Sequence, residues 1–327
     1  MIAANPRRTE RVPAPGVGTD AGRPDRQVAG RGHNQIARIL AGVGPSPAAW
    51  LFAAVWLAAA LVLVATGQGF PFDGLLLGSA YLLLSLLTVA STEPAPATPA
   101  SPAERPRLWL HVGLILLFVA LTAWRGLVFH HVLGPEAALP LWSPLVGAFQ
   151  RLGDQWFGNG NYLANPVTYV ALPLLVLLPA GARLPSLGFG RGHRVRRVLL
   201  LWCALPFIFF VYVMLSGQLS LGRLAGRVLS NSLNNGFFEE FLFRGALQTR
   251  LRRLAGPGWA LVLQALIFGA WHLGLGFTDT GHAGWLPALA STLVHQAVVG
   301  LGFGVIFERT RNLLAPSVVH VVANSLG

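Results

Sequence analysis

The chain contains no lysine and few charged residues of any kind. All 24 basic residues are arginine, acidic residues number 12, and charged residues make up 11% of the 327 residues, against about 25% in a soluble protein. Hydrophobic residues make up 54%. This shortage of charge excludes an ordinary soluble domain and predicts a polytopic membrane protein built from apolar helices.

Several familiar enzyme motifs are missing too. There is no His-Glu-x-x-His sequence, no Gly-x-Ser-x-Gly elbow and no Gly-Lys-Ser/Thr phosphate loop, which argues against a soluble-type zinc protease and against the enzyme classes that carry the other two motifs. Asp279 is the candidate for a paired-aspartate membrane protease, but it is expected in a loop. The single cysteine, Cys203, cannot form an internal disulfide.

The excess of arginine gives a net charge of +12, which we attribute to orientation in a membrane and not to nucleic-acid binding. The arginines fall mainly between apolar runs. With the N-terminus in the cytoplasm, most of them lie on the inner side, as the positive-inside rule expects; Arg125 is placed toward the outer end of its helix. The Arg-only, Ala/Gly/Pro-rich composition suggests GC-rich coding and a bacterial plasma membrane.

Composition also divides the chain into three parts. Residues 1–45 predict a disordered, basic, cytoplasmic tail. The composition of residues 46–182 predicts N-terminal transmembrane helices, interrupted by a Pro-rich linker at 91–106. That of residues 183–327 predicts a second, catalytic membrane domain. We expect an all-α bundle of about 8–9 transmembrane helices with the active site in the membrane core. The apolar runs are 48–66, 74–90, 108–129, 167–178, 199–215, 228–249, 259–275, 286–307 and 313–326.

The most unusual stretch is 234–245, in which two carboxylates and an arginine lie inside an apolar run. Ionised side chains at membrane depth are usually paired or functional. On a helix, Glu240 and Arg244 are four residues apart and share a face, whereas Glu239 points about 100° away. We interpret Glu240 and Arg244 as a supporting pair, and Glu239 as a candidate general base or metal ligand.

Two histidines and an amide follow on later apolar helices. They are His272, His320 and, one turn after it, Asn324. The predicted helix ends place Glu239, His272 and His320 in or near the middle third of a core about 30 Å thick, which favours one shared site. Such a set could activate a water or bind a metal through Glu239, His272 and His320, with Asn324 as a further ligand. Helix-packing hydrogen bonds remain the alternative for each residue, and His295 is a lesser candidate.

These residues form three motifs that resemble the CPBP family in order, in spacing and in their placement on separate apolar helices. The motifs are Glu239-Glu240-x-x-x-Arg244, Phe268-x-x-x-His272 and His320-x-x-x-Asn324. The family comprises CAAX prenyl endopeptidases and bacteriocin-processing or immunity (Abi) membrane proteins. The resemblance covers about residue 199 to the C-terminus and implies an intramembrane endopeptidase.

The resemblance also implies roles. Glu239 would activate the water, with His272 assisting it or ligating a metal. His320 and Asn324 would ligate a metal or stabilise the oxyanion, and Glu240 with Arg244 would complete the first motif. The resemblance is compatible with bound Zn²⁺ and equally with a metal-free glutamate mechanism.

These residues are compatible with three functions of the chain. The first is hydrolysis of a peptide bond in a membrane protein or peptide, with the lipid bilayer as the surrounding partner. The second is a non-enzymatic immunity or scaffold protein of the same fold. The third is a proton-coupled transporter, which the lack of an internal repeat disfavours.

Overall fold

The computed structural model describes residues 46–326, so the predicted tail at 1–45 lies outside the described residues. Within 46–326 the chain is all-helical, as the apolar runs predict. Helices satisfy their backbone hydrogen bonds internally, which is what a lipid environment requires. The first six longer helices are α1 Pro47–Ala65, α2 Phe72–Ser91, α3 Arg105–Phe129, α4 Trp142–Phe157, α5 Asn161–Leu177 and α6 Val195–Leu215.

The second half of the chain carries the long helix on which the site is built. This helix, α7, runs without interruption over residues 221–255 and contains wide π-helical turns at Ser232–Gly236 and Phe241–Gln248. Such turns occur frequently at functional sites, and here they flank the two adjacent glutamates. The remaining helices are α8 Pro257–Trp271, α9 Leu273–Asp279, α10 Trp285–Thr310 and α11 Leu314–Leu326.

The single helix predicted over 259–275 is wrong. The chain breaks at His272, and α8 and α9 are bent by 56° relative to each other. Beyond the break, α9 packs closely on α3: a Cβ added to Gly274 would lie 2.7 Å from the Gly126 carbonyl oxygen. Asp279 was expected in a loop, but it is the last residue of α9.

Among residues 46–326, five helices are long and apolar enough to cross a membrane, namely α1, α2, α3, α6 and α10. A sixth span results if α8 and α9 together count as one. α5 and α11 are shorter apolar helices. Each predicted apolar run is helical, but the number that crosses the membrane stays a prediction.

The helices that carry the motifs occupy the centre of the bundle. α7 and α11 contact each other, and α8 packs on α10, while α1 and α2 cover α10, α3 and α5 lie against α7, and α6 lies against α11. Large apolar side chains on the outer helices face outward: Leu76 and Leu200 are each 74% exposed. An apolar exterior around a packed interior is what a lipid-facing protein needs.

The linker 91–106 lies on one end of the bundle, where arginines hold it. It runs without regular structure from 93 to 101. Arg252 donates to the Ala95 carbonyl over 2.6 Å, and Arg253 donates to Glu104 over 2.8 Å. The Arg253 side chain holds the pKa of Glu104 at about 2, below its ordinary 4.5. The domain boundary expected at 182/183 stays a prediction.

Candidate active site

Glu239 and Glu240 lie side by side on α7, between its two π-helical turns. Successive side chains of a helix point about 100° apart, so the two carboxylates have different surroundings. Glu239 lines a cavity and is 6% exposed, whereas Glu240 is fully buried. One helical turn therefore presents one carboxylate to the cavity and one to the protein interior.

The interior carboxylate belongs to a charged network. Arg244 donates to Glu240 Oε1 over 3.0 Å, and Nδ1 of His320 lies 2.9 Å from the same oxygen. Because an ionised carboxylate only accepts hydrogen bonds, His320 carries the proton of this bond on Nδ1. The spacing of Glu240 and Arg244 predicts their pairing, but it does not reveal that His320 is the second partner.

The Arg244 side chain is fully buried, and it contacts residues of three helices, α7, α8 and α10. It donates to the Gly300 carbonyl over 3.1 Å. Its guanidinium carbon lies 4.4 Å from the centre of the Phe268 ring and 5.4 Å from that of Phe303. These cation–π contacts are strengthened by the absence of water, and they tie α7 to α8 and α10.

On the cavity side, Glu239 and the two histidines meet. Glu239 Oε2 lies 3.9 Å from Nε2 of His272 and 3.9 Å from Nε2 of His320. Nδ1 of His272 lies 2.9 Å from the Phe268 carbonyl, so this ring also donates through Nδ1. Each neutral ring then carries its lone pair on Nε2. Within residues 46–326, Glu239 Oε2 is buried without a hydrogen-bond partner. Two imidazole acceptors therefore lie near the unpartnered carboxylate oxygen.

Three acceptors cannot be satisfied by one water, which supplies only two hydrogens. One water therefore leaves one acceptor unpaired, and a second water, a metal ion or a further proton would pair with it. One carboxylate and two imidazoles held through Nδ1 form a donor set that suits zinc. As the side chains stand in residues 46–326, no three His, Cys, Asp or Glu form a group that could hold a metal. The 3.9 Å spacing is wider than the about 3.4 Å between tetrahedral zinc ligands.

The cavity in front of these acceptors has a volume of about 590 Å³. Asn324 lies on its wall one turn after His320 and is exposed. Asn235, one turn before Glu239 on α7, lines it as well. A volume of this size suits a small ligand or a short peptide segment together with water.

The cavity is also lined by polar residues that the sequence reasoning missed. Arg125 on α3 donates to Asn165 over 2.7 Å and to Asn161, and all three residues line the cavity. The signal was present, because Arg125 is a charge within an apolar run, as Glu239 is. The asparagines gave no such signal, because they are uncharged and precede the apolar run at 167–178.

The other histidines have separate places. His295, the lesser candidate, pairs with Asp73 over 3.1 Å and is not among the cavity-lining residues. His130 lines the cavity and contacts Thr278 over 3.0 Å. The structure thus brings His272 and His320 to Glu239 and leaves His295 on the α2 side of α10.

Residues 221–326 match a family model described as type II CAAX prenyl endopeptidase Rce1-like. The match holds all three motifs and confirms the family resemblance, although it begins later than the expected residue 199. The cavity walls contributed by α3 and α5 lie outside it. Comparisons with curated proteins and with solved structures found no match. The family match and the long apolar helices together identify an integral membrane protein.

Proposed function

We propose that the chain is an intramembrane endopeptidase that hydrolyses a peptide bond in a membrane-associated protein or peptide. The observation that carries the proposal is the buried, unpartnered Glu239 Oε2, which faces two imidazole Nε2 atoms and a cavity. A buried polar group without a partner is costly. A water bound at this position would remove that cost, and the carboxylate could then act on it as a general base.

In the proposed reaction, Glu239 accepts a proton from the water as the water oxygen attacks the carbonyl carbon of the substrate. A carbon–oxygen bond forms and the carbonyl oxygen becomes an oxyanion. The carbon–nitrogen bond then breaks, and Glu239 returns its proton to the leaving amine. The products are a carboxylic acid and an amine, so the carboxylate ends as it began.

The histidines and Asn324 serve the oxyanion and the water. The Asn324 side-chain amide donates to the oxyanion. A neutral imidazole here only accepts through Nε2, so it orients the water, whereas an imidazole with the extra proton donates to the oxyanion. In the alternative in which Glu239 is a metal ligand and not the base, Zn²⁺ held by Glu239, His272 and His320 would polarise the carbonyl and acidify the water.

Glu240 and Arg244 act on the reaction through position alone. The bond from His320 Nδ1 to Glu240 fixes which ring nitrogen faces the cavity. Arg244 keeps that carboxylate ionised and, through Gly300 and Phe268, holds it at a constant place. The family match supports the proposed endopeptidase activity, since the matched model is one of endopeptidases.

The experiment compares peptide N-termini in membranes of cells that express wild type, Glu239→Gln or Glu93→Gln at matched levels. Glu93 is the control, because its side chain is 87% exposed on the linker. We expect new N-termini with wild type and Glu93→Gln only. The same termini with folded Glu239→Gln would refute the general-base role. No new termini with wild type would instead favour a non-enzymatic binding protein.

The zinc proposal has its own test, which needs no substrate. We expect purified wild type to retain about one zinc per chain, and His272→Asn and His320→Asn to lose it. An asparagine amide can replace the donor at Nδ1 while it removes Nε2. Metal-free wild-type protein that is fully active would refute zinc and favour the metal-free mechanism, in which Glu239 is the base.

The proposed setting is a bacterial plasma membrane with a cytoplasmic N-terminus. The arginines at one end of the bundle support this orientation, because positive loops remain inside. Arg252 and Arg311 both pair with Glu308 there, and Arg309 donates to the Thr92 carbonyl at 2.9 Å.

A further inference from the structure

Arg125 is a cation on the cavity wall with no acidic partner among residues 46–326. Three other arginines have acidic partners: Arg244 pairs with Glu240, Arg252 with Glu308 and Arg253 with Glu104. The buried Arg250 has none, but backbone carbonyls accept its hydrogen bonds. None of the ion pairs in the described part of the chain includes Arg125. An unpaired charge within a membrane protein is costly, so it generally marks a site for a ligand.

Two asparagines hold Arg125 in place without neutralising it. Its terminal nitrogens donate to the side-chain oxygens of Asn165, over 2.7 Å, and of Asn161. A guanidinium has five N–H donors, so these two bonds leave others for a ligand. The arrangement orients the cation and preserves its positive charge.

The same cluster is tied to the helix of the proposed base. Asn165 donates through Nδ2 to the Asn234 carbonyl over 2.7 Å. Asn234 lies five residues before Glu239 on α7, which is little more than one helical turn. Arg125 and Glu239 line one cavity. An anion at Arg125 and a peptide bond at Glu239 would therefore lie a few residues apart on one extended peptide.

We propose that Arg125, positioned by Asn161 and Asn165, is a subsite that binds a carboxylate of the substrate. The planar fork of a guanidinium matches the two oxygens of a carboxylate, and low dielectric strengthens the pairing. The identity of the ligand as a peptide rests on the proposed function. The carboxylate is either the C-terminal α-carboxylate or an acidic side chain, and the probes below separate these two sources.

The test measures binding of three probes to the detergent-solubilised full chain by thermal shift and titration. The probes are acetyl-Leu-Ala-Leu as the free acid, the same peptide as the C-terminal amide, and acetyl-Leu-Asp-Leu amide. We expect wild type to bind a carboxylate-bearing probe about ten- to a hundredfold more tightly than the neutral amide. Which of the two acidic probes binds identifies the source of the carboxylate.

Two variants test whether Arg125 is responsible. Arg125→Gln removes the charge. Asn161→Asp keeps the hydrogen bond to Arg125 and neutralises it in place, so it preserves the fold if Arg125→Gln does not. We expect both to lose the preference for acidic probes. Arg223→Gln is the matched control, because this arginine is exposed at the start of α7, and it should bind as wild type does.

Wild-type affinity for the acidic probes in folded Arg125→Gln or Asn161→Asp would overturn the subsite. Equal binding of all three probes by wild type would overturn it as well. The Glu239→Gln variant separates this proposal from the proposed function. Carboxylate-selective binding by that variant, in a protein whose wild type cleaves nothing, would sink the hydrolysis and leave the subsite standing.

Discussion

Glu240 and Arg244 are both fully buried, so each is the principal reason that the other can stay charged. Removing one partner of a buried pair leaves an uncompensated charge, which usually costs more than the pair itself contributes. Here the loss would reach further, because His320 Nδ1 is bonded to the same Glu240 oxygen. Stability and the orientation of the His320 imidazole therefore depend on one ion pair.

We expect Arg244→Met to lower the free energy of unfolding by about 3–5 kcal/mol, because it strands the Glu240 carboxylate. Glu240→Gln combined with Arg244→Met should recover much of that loss, since no charge remains. Denaturant unfolding of the detergent-solubilised proteins measures both. Arg223→Met, at an exposed arginine, is the control. A double variant less stable than Arg244→Met would contradict the account.

The motif spacings predicted some of these residue contacts and not others. The four-residue spacing predicts the Glu240–Arg244 pair, since it is a property of the helix alone. The bond between Glu240 and His320 joins residues 80 positions apart, so it depends on how α7 and α11 pack. The Arg125 cluster was missed for the same reason, as its asparagines come from another helix.

At the scale of helices, the break after α8 decides where His272 lies. Periodicity and hydropathy predict apolar helices well, but over 259–275 they predict one unbroken helix where the structure has two. The break follows from tertiary packing, in which glycines let α9 approach α3. Just before the break, Gly269 lies where α8 crosses α10: an added Cβ would be 2.8 Å from Ala297 Cβ and 3.1 Å from the Thr292 carbonyl.

Gly269→Ala should therefore force α8 away from α10 and displace His272, three residues later. We expect a loss of about 1–3 kcal/mol in unfolding free energy together with a loss of cleavage. Gly113→Ala on the exposed face of α3, where an added Cβ meets nothing within 4 Å, should be neutral or stabilising by up to about 1 kcal/mol. Equal stability of the two variants in thermal melts would show that this crossing is not tightly packed.

At the scale of the whole molecule, orientation decides from which side water and substrate reach the cavity. The chain places the Arg252–Glu308 pair and the linker at one end of the bundle. The loop between α9 and α10 lies at the other end of α10. Arginine bias predicts the first end inside, and the sequence alone could not pair the linker with these arginines.

Single cysteines in a Cys203→Ser background test the orientation. Ser101→Cys lies on the exposed linker and Ala283→Cys on the exposed loop before α10. We expect a membrane-impermeant maleimide to label the second in intact cells, and the first only after lysis. The reverse pattern would place the N-terminal side of α1 outside and contradict the proposed topology.

The central claim is that Glu239, His272 and His320 act together on one water. The most direct measurement is the cleavage rate of purified Glu239→Gln, His320→Asn and the double variant, on a substrate found from the new N-termini. Residues that act as a unit are not additive, so each single variant should lose at least about a thousandfold, and the double variant no more than the worse single one. Losses that multiply in the double variant, or a single variant that cleaves at the wild-type rate, would contradict the account.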